Sequence, residues 1–253
     1  MGTTLAQAYV QVIPTTKGIK GMLGKELGNE GDSGGKTTGM KFTGAFKKAI
    51  VAAGIGTALA KTISEGAKLE QSIGGVETLF GKKDAETVKR NAQNAYKTLQ
   101  ISANDYMEQA TSFSAALLQS LNGDTKKAAA AADVAITDMS DNANKMGTSI
   151  VDIQNAYQGF AKQNYTMLDN LKLGYSGTKS EMERLLSDAS KLSGQKYDIS
   201  NLSDVYSAIH VIQKEMKLTG TSAEEAKTTL SGSFNAMKAA ASNFMGNIAL
   251  GQN

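Results

Sequence analysis

Residues capable of acid-base, nucleophilic or ligand chemistry are few in this chain of 253 residues. Cysteine is absent, which removes disulfides, thiolate metal sites and thiol nucleophiles together. The single histidine, His210, sits in VYSAIHVIQKEM beside an apolar stripe. One imidazole cannot build a multi-histidine metal site, and it leaves serine chemistry with little choice of base. The local pattern reads as a partly exposed helix histidine rather than a catalytic one. The acidic pairs Glu181 with Glu183 and Glu224 with Glu225 carry the groups needed for general acid and base work. Their position after Thr178, Thr221 and Ser222 instead suits first-turn carboxylates at the positive end of a helix. Gly34-Gly35-Lys36-Thr37 resembles the end of a phosphate-binding loop, but Glu30 stands where the motif needs its first glycine. Tyr157, Phe160 and Tyr165 lie near Lys162, a grouping that a nucleic-acid stacking platform would use. At helical spacing the same aromatics read as core. No residue emerges as a catalytic, cofactor-binding or metal site, and the expectation is a protein that is not an enzyme and needs no cofactor.

The elements that would position these residues are helices. Trp is absent, aromatics are 6% of residues, and the only proline is Pro14, so almost nothing beyond it breaks a helix by proline chemistry. Residues 1–14 hold a short alternating stretch, Leu5 to Ile13, that reads as a β-strand ended by Pro14. Residues 15–45 are a Gly-rich flexible linker. From Phe46 a long helix with a small-residue face is expected, with Gly74-Gly75 as its stop and Gly81 as a further break. Its two rows are Ile50, Ala53, Thr57, Ala60, Ser64, Ala67 and Phe46, Val51, Ile55, Leu59, Ile63, Leu69, Ile73. Small residues such as Gly54 would let a second helix approach closely.

Residues 82–253 repeat one grammar: a Ser, Thr, Asn or Asp cap, about four helical turns, and a glycine stop. The expected caps are Asn104, Asp124, Ser149, Thr178 and Thr221 or Ser222. The expected stops are Gly123, Gly147, Gly174, Gly194 and Gly220. The buried stripes expected are Val88, Ala92, Ala95, Leu99; Tyr106, Ala110, Phe113, Leu117, Leu121; Ala132, Ile136, Met139, Ala143, Met146; and Ile153, Tyr157, Phe160. They continue with Met182, Leu185, Leu186, Ala189, Leu192; Leu202, Val205, Ile209, Ile212, Met216; and Leu230, Phe234, Met237, Ala241, Phe244, Ile248. The fold class expected is all-α: an elongated or loosely packed helical bundle with a short N-terminal strand and a Gly-rich linker. The last helix stays apolar to its end with no stop signal, which reads as a chain continuing into a longer polypeptide.

The formal net charge of +3 is too small to argue for nucleic acid. Its excess lies within residues 1–82, diluted among glycines as in a solvated linker. No secretory leader or myristoylation pattern is apparent at the N-terminus. Ala49 to Ala60 is shorter than the roughly 20 apolar residues that span a bilayer. A membrane-active use of Phe46–Ile73 is the sharper alternative to bundle packing, and a soluble helical binding module is the third reading.

Four stretches point further. AQAYVQVIPTTKGI, the Phe46–Gly81 segment ending in ETLFG, SANDYMEQATSFSAALLQSL, and above all GFAKQNYTMLDNLKLGYSGTKSEMERLL from Gly159 to Leu186 resemble the N-terminal region of tail tape measure proteins of long-tailed phages and prophages of Gram-positive bacteria. The resemblance spans essentially the whole chain. It implies a structural protein of the virion that scaffolds the growing tail tube, sets tail length from the tube lumen, and is expelled during DNA ejection. It also implies a host-cytoplasmic stage during assembly. The partners it implies are the tail tube protein, tail assembly chaperones, tail-tip proteins and other copies of itself. Host-membrane contact would come through segments beyond this chain, and no sequence-specific nucleic-acid partner is implied. Family members often carry strongly hydrophobic segments, and some carry a muralytic domain, neither of which is in this chain.

Overall fold

The computed structural model describes residues 56–228 and 230–251. The expected strand at Leu5–Ile13, the linker, the phosphate-loop lookalike and the start of the long helix at Phe46 lie outside them. Among the described residues the fold is all-α: eight α-helices and one short 3-10 helix. They are α1 (Gly56–Thr98), α2 (Ala103–Ser120), α3 (Thr125–Met146), α4 (Ile150–Phe160), the 3-10 helix Leu168–Leu171, α5 (Lys179–Ser193), α6 (Leu202–Glu215), α7 (Thr221–Thr228) and α8 (Leu230–Ala249).

Local cap chemistry sets many of the boundaries. Asp124 accepts the Lys127 amide at the start of α3, Thr178 the Glu181 amide at α5, and Asn201 the Asp204 amide at α6. Gly147 and Gly194 close α3 and α5 in the left-handed conformation that a Cβ would disfavour. Three expected caps are corrected. Neither Thr221 nor Ser222 caps α7: the helix begins at Thr221, whose Oγ1 donates to the Leu218 carbonyl, and Ser222 Oγ has no partner among the described residues. Ser102, not Asn104, caps α2, in a reciprocal capping box with Asp105. Asn104 is instead buried, its Oδ1 accepting from Ser72 Oγ at 2.7 Å. Ser149 holds the cap position of α4 but makes no side-chain cap bond, and that helix ends at Phe160 rather than Asn164.

The expected stop at Gly74-Gly75 is also wrong. α1 runs through both glycines and breaks only at Gly81, at φ 69° and ψ 157°. Two glycines cost a helix about 2 kcal/mol. Leu69, Val76 and Phe80 are buried on one face, with Ile73 packed beside them, and that burial exceeds the penalty. A Cβ on Gly75 would meet Thr111 Cγ2 of α2 at 3.4 Å, an ordinary contact. Lys89 bridges the break, pairing with Glu77 before it and Glu86 after it.

The core is assembled around α3, which packs against α2, α4, α6, α7 and the 3-10 helix. Its Ala128, Ala129, Ala132 and Ala135 are buried and let these neighbours close in. α5 packs on α6, placing Met182, Leu185, Leu186 and Ala189 in the core. The stripes expected for α2, α3, α4 and the second half of α1 are the faces that pack. The expected stripes of α5 and α6 also pack, except for their outer members Leu192 and Met216, which are exposed.

α8 departs furthest. Ala241, Phe244 and Ile248, the members of its expected buried stripe with described side chains, face outward. The inward face is small: Ala239 and Gly246 are buried. A Cβ on Gly246 would lie 2.9 Å from Leu69 Cδ2, and one on Gly66 would overlap Ala249. The close approach expected from small residues thus occurs at Gly66, while Ser64 and Ala67 are exposed. Backbone proximity between α1 and α8 takes precedence over burying the larger side chains. The side chains of Leu59, Ile63, Leu230, Phe234 and Met237 lie outside the described residues.

Candidate functional site

Because neighbours pack around α3 on several sides, little of its C-terminal half is left to solvent, with Lys145 its exposed position. Asp138, Ser140, Asp141 and Asn142 are consequently buried along with Ile136 and Met139. Buried polar groups must find partners or lose about 1–3 kcal/mol each. Each that finds one reaches a different element.

Asp138 on α3 meets His210 on α6. Nδ1 lies 2.9 Å from Oδ1 and 3.1 Å from Oδ2. The Asp138 side chain is 1% exposed, and the imidazole 32%. Burial pushes the Asp138 carboxyl above the usual carboxylate range, against the pull of His210. The hydrogen bond to Asp138 raises His210 above 6.5; burial and the nearby Lys214 charge oppose it, and Asp141 adds to the rise. These directions compete for one proton. The imidazole is the better holder, because it reaches water and the carboxylate does not.

An aromatic row lies beside the pair. Tyr157 and Tyr206 have ring centroids 5.0 Å apart, Phe113 meets Tyr206 edge-on at 5.5 Å, and Phe160 lies 5.8 Å from Tyr157. Tyr206 Oη donates to the Tyr157 carbonyl at 2.9 Å, and Gln213 Nε2 donates to Tyr157 Oη at 3.3 Å. Burial first, and Asp138 second, push the Tyr157 phenol well above its ordinary value. Tyr157, Phe160 and Tyr165 are all buried, so these rings form the core and offer no stacking platform.

One turn beyond Asp138, Asp141 projects to the start of α7. Its Oδ2 accepts the Gly220 amide at 2.6 Å and its Oδ1 the Ser222 amide at 2.8 Å. A carboxylate from another helix therefore occupies the N-terminus of α7. A cavity of about 290 Å³ opens beside it, lined in part by Asn91, Tyr106, Asp133, Thr137, Asp141 and Gly220. Tyr106 Oη donates to Asp133 at its edge. Asn142 Nδ2 donates to the Leu171 carbonyl at 2.9 Å, fastening the 3-10 helix.

The expected acidic pairs do not converge. Glu181 accepts from Arg184 and from the Ser176 amide, which together hold its carboxyl below the usual range. Glu183 faces Lys179 at 3.9 Å. Glu224 is exposed and Glu225 half-buried on α7. His210 is partly exposed, as its pattern predicts. What sequence reasoning missed is Asp138 and Asp141. Helical spacing carried no signal for them: at about 100° per residue both fall off the Ile136–Met139 stripe, with Asp141 nearly opposite Met139, where a solvated carboxylate is the ordinary reading. Gly31-Asp32-Ser33-Gly34-Gly35 carries the letters of a G-x-S-x-G elbow and lies outside the described residues.

Among the described residues no group of three or more His, Asp or Glu is placed to hold a metal ion. None of the described helices is long and apolar enough to cross a membrane. Chemically, the arrangement joins helices: Asp138–His210 ties α3 to α6, and Asp141 ties α3 to α7. No protein-family model, curated protein or solved structure matches this chain.

Proposed function

We propose that this chain is the N-terminal region of a phage tail tape measure protein, a non-enzymatic scaffold that works in the lumen of the growing tail tube. The observation that carries the reading is the segment Gly159 to Leu186, whose long and idiosyncratic sequence resembles that family. Its residues have consistent structural duties. Leu168, Leu171 and Leu173 are buried, Tyr165 Oη donates to the Ile199 carbonyl at 3.0 Å, and Arg184 stacks over Tyr175 at 4.3 Å. A Cβ on Gly177 would overlap the Thr166 carbonyl. Such a corner tolerates little substitution, which is how an unusual sequence becomes a family signature.

The polar ties between helices and the α1–α8 approach through Gly66 and Gly246 suit a scaffold whose work is packing. In this reading the partners are the tail tube protein, tail assembly chaperones, tail-tip proteins and other copies of the chain. The test is tail length in phage carrying in-frame deletions of the full gene. Removing the 43 residues of α1 should shorten tails by about 65 Å at 1.5 Å per residue. Unchanged tails would overturn the ruler role of this region. Salt-resistant flotation of the isolated chain with liposomes would favour the membrane-active reading instead.

A further inference from the structure

We propose that α7 and α8 form a hinged strap that opens from the α2–α6 bundle as a unit, pivoting at Lys217–Gly220 and latched by the Asp141 carboxylate. Three independent features converge on it.

The first is the nature of the attachment. The strap is fastened by hydrogen bonds at both ends. At α7, Asp141 takes the Gly220 and Ser222 amides, and Gln100 Nε2 donates to the Ser222 carbonyl at 3.0 Å. At α8, Asn243 Oδ1 accepts the Ala103 amide at 2.7 Å, and Ser242 Oγ donates to Glu65 Oε2 at 2.7 Å. Among the strap's described side chains, the buried apolar one is Ala239, with Leu218 buried in the hinge. Hydrogen bonds exchanged for water are cheap to break; buried apolar area is not.

The second is the hinge. Lys217 has φ 58° and Gly220 φ 85°. Two left-handed residues within four positions form the kind of short joint at which a rotation can be absorbed without disturbing either flanking helix.

The third is the inverted face of α8. Phe244 and Ile248 are 45% and 43% exposed while the small face points inward. The docked position therefore leaves these two large side chains, which could anchor the last turns of α8, nearly half exposed. A helix docked this way is a low-stability unit of the fold. Opening also widens the cavity beside Asp141, since Gly220 and Ala223 form part of its wall.

Peptide-resolved hydrogen exchange on the full chain tests the strap. In the wild type, amides of α7 and α8 should exchange together, about 100-fold faster than those of α5 and α6. Asp141→Ala should accelerate the strap by a further factor of about 100 or more, through loss of two bonds to a charged acceptor, and leave α5 and α6 unchanged. Asp141→Asn, which keeps one acceptor oxygen, should fall between. Equal exchange of strap and bundle in the wild type would overturn the proposal. So would uniform acceleration of all helices in Asp141→Ala. Should that variant not fold, Gln100→Ala removes one fastening at a helix end and should accelerate the strap alone; acceleration of α5 and α6 to the same degree would count against it.

Discussion

The α2–α6 bundle and the α7–α8 strap are built from the same helical alphabet but held by different forces. In the bundle, faces of Leu, Ile, Met, Phe and Tyr are buried, and buried polar side chains such as Asp138 and Asn142 reach across to another element. Among the described side chains of the strap, a small residue faces inward while Phe244 and Ile248 are largely exposed, and hydrogen bonds to α1, α2, α3 and the α1–α2 turn fasten it. The difference teaches that amphipathic spacing alone does not say which face of a helix will be used. A neighbour that can come very close through glycine offers contact area to a small face, and the larger side chains are then left over.

The contrast can be broken most directly in the bundle. Tyr157→Ala removes a fully buried ring that touches Phe160 and Tyr206, and should cost about 3–5 kcal/mol in denaturant unfolding. A loss below about 1 kcal/mol would mean the bundle is no better packed than the strap. Gly246→Leu places a branched side chain against Leu69 and the Glu65 carbonyl. It should cost about 1–3 kcal/mol, localised to α8 and visible as proteolytic cleavage near residues 216–220 before any within α5 or α6.

A third experiment reads a slope instead of a size. His210 has its folded pKa raised, by the Asp138 hydrogen bond. Its stabilisation is therefore fully present below pH 6.5 and lost as pH rises through the higher folded value. Wild-type stability should thus decline as pH rises above 6.5, and His210→Gln should flatten that part of the curve. A variant with the wild-type slope would remove the imidazole from the pair's energetics. The smallest effect is expected at Phe244→Ala, within about 0.5 kcal/mol, because the ring is nearly half exposed. A larger loss in the dilute, isolated chain would show that the strap's outer face is used after all.

Much of the bundle was legible because its signals are local. An Asp or Thr three residues before a free amide, or a glycine taking positive φ after the last turn, acts within one turn of backbone. That is why Asp124, Thr178, Gly147 and Gly194 lie where the pattern predicts. The same reasoning failed at Asn104, where two neighbouring residues both offered cap chemistry and a contact from Ser72 selected the other. It failed again at Gly74-Gly75, where burial of Val76 and Phe80 outweighed the glycine cost. The candidate site was the least legible part. His210 stood out only as the sole histidine, and its partner Asp138 lies 72 positions away.

By itself the sequence determined an all-α body for the described residues, many of its helix ends and the buried faces of α2 to α6. These follow from hydrogen bonds within a turn and from apolar periodicity, both of which act before distant segments meet. Only the tertiary structure decided that neighbours would pack around α3 on several sides, that Asp138 and Asp141 would each need a partner from another helix, and that α8 would turn its small face inward. Those outcomes depend on which surfaces come together, and the spacing of residues along one helix carries no record of its neighbour.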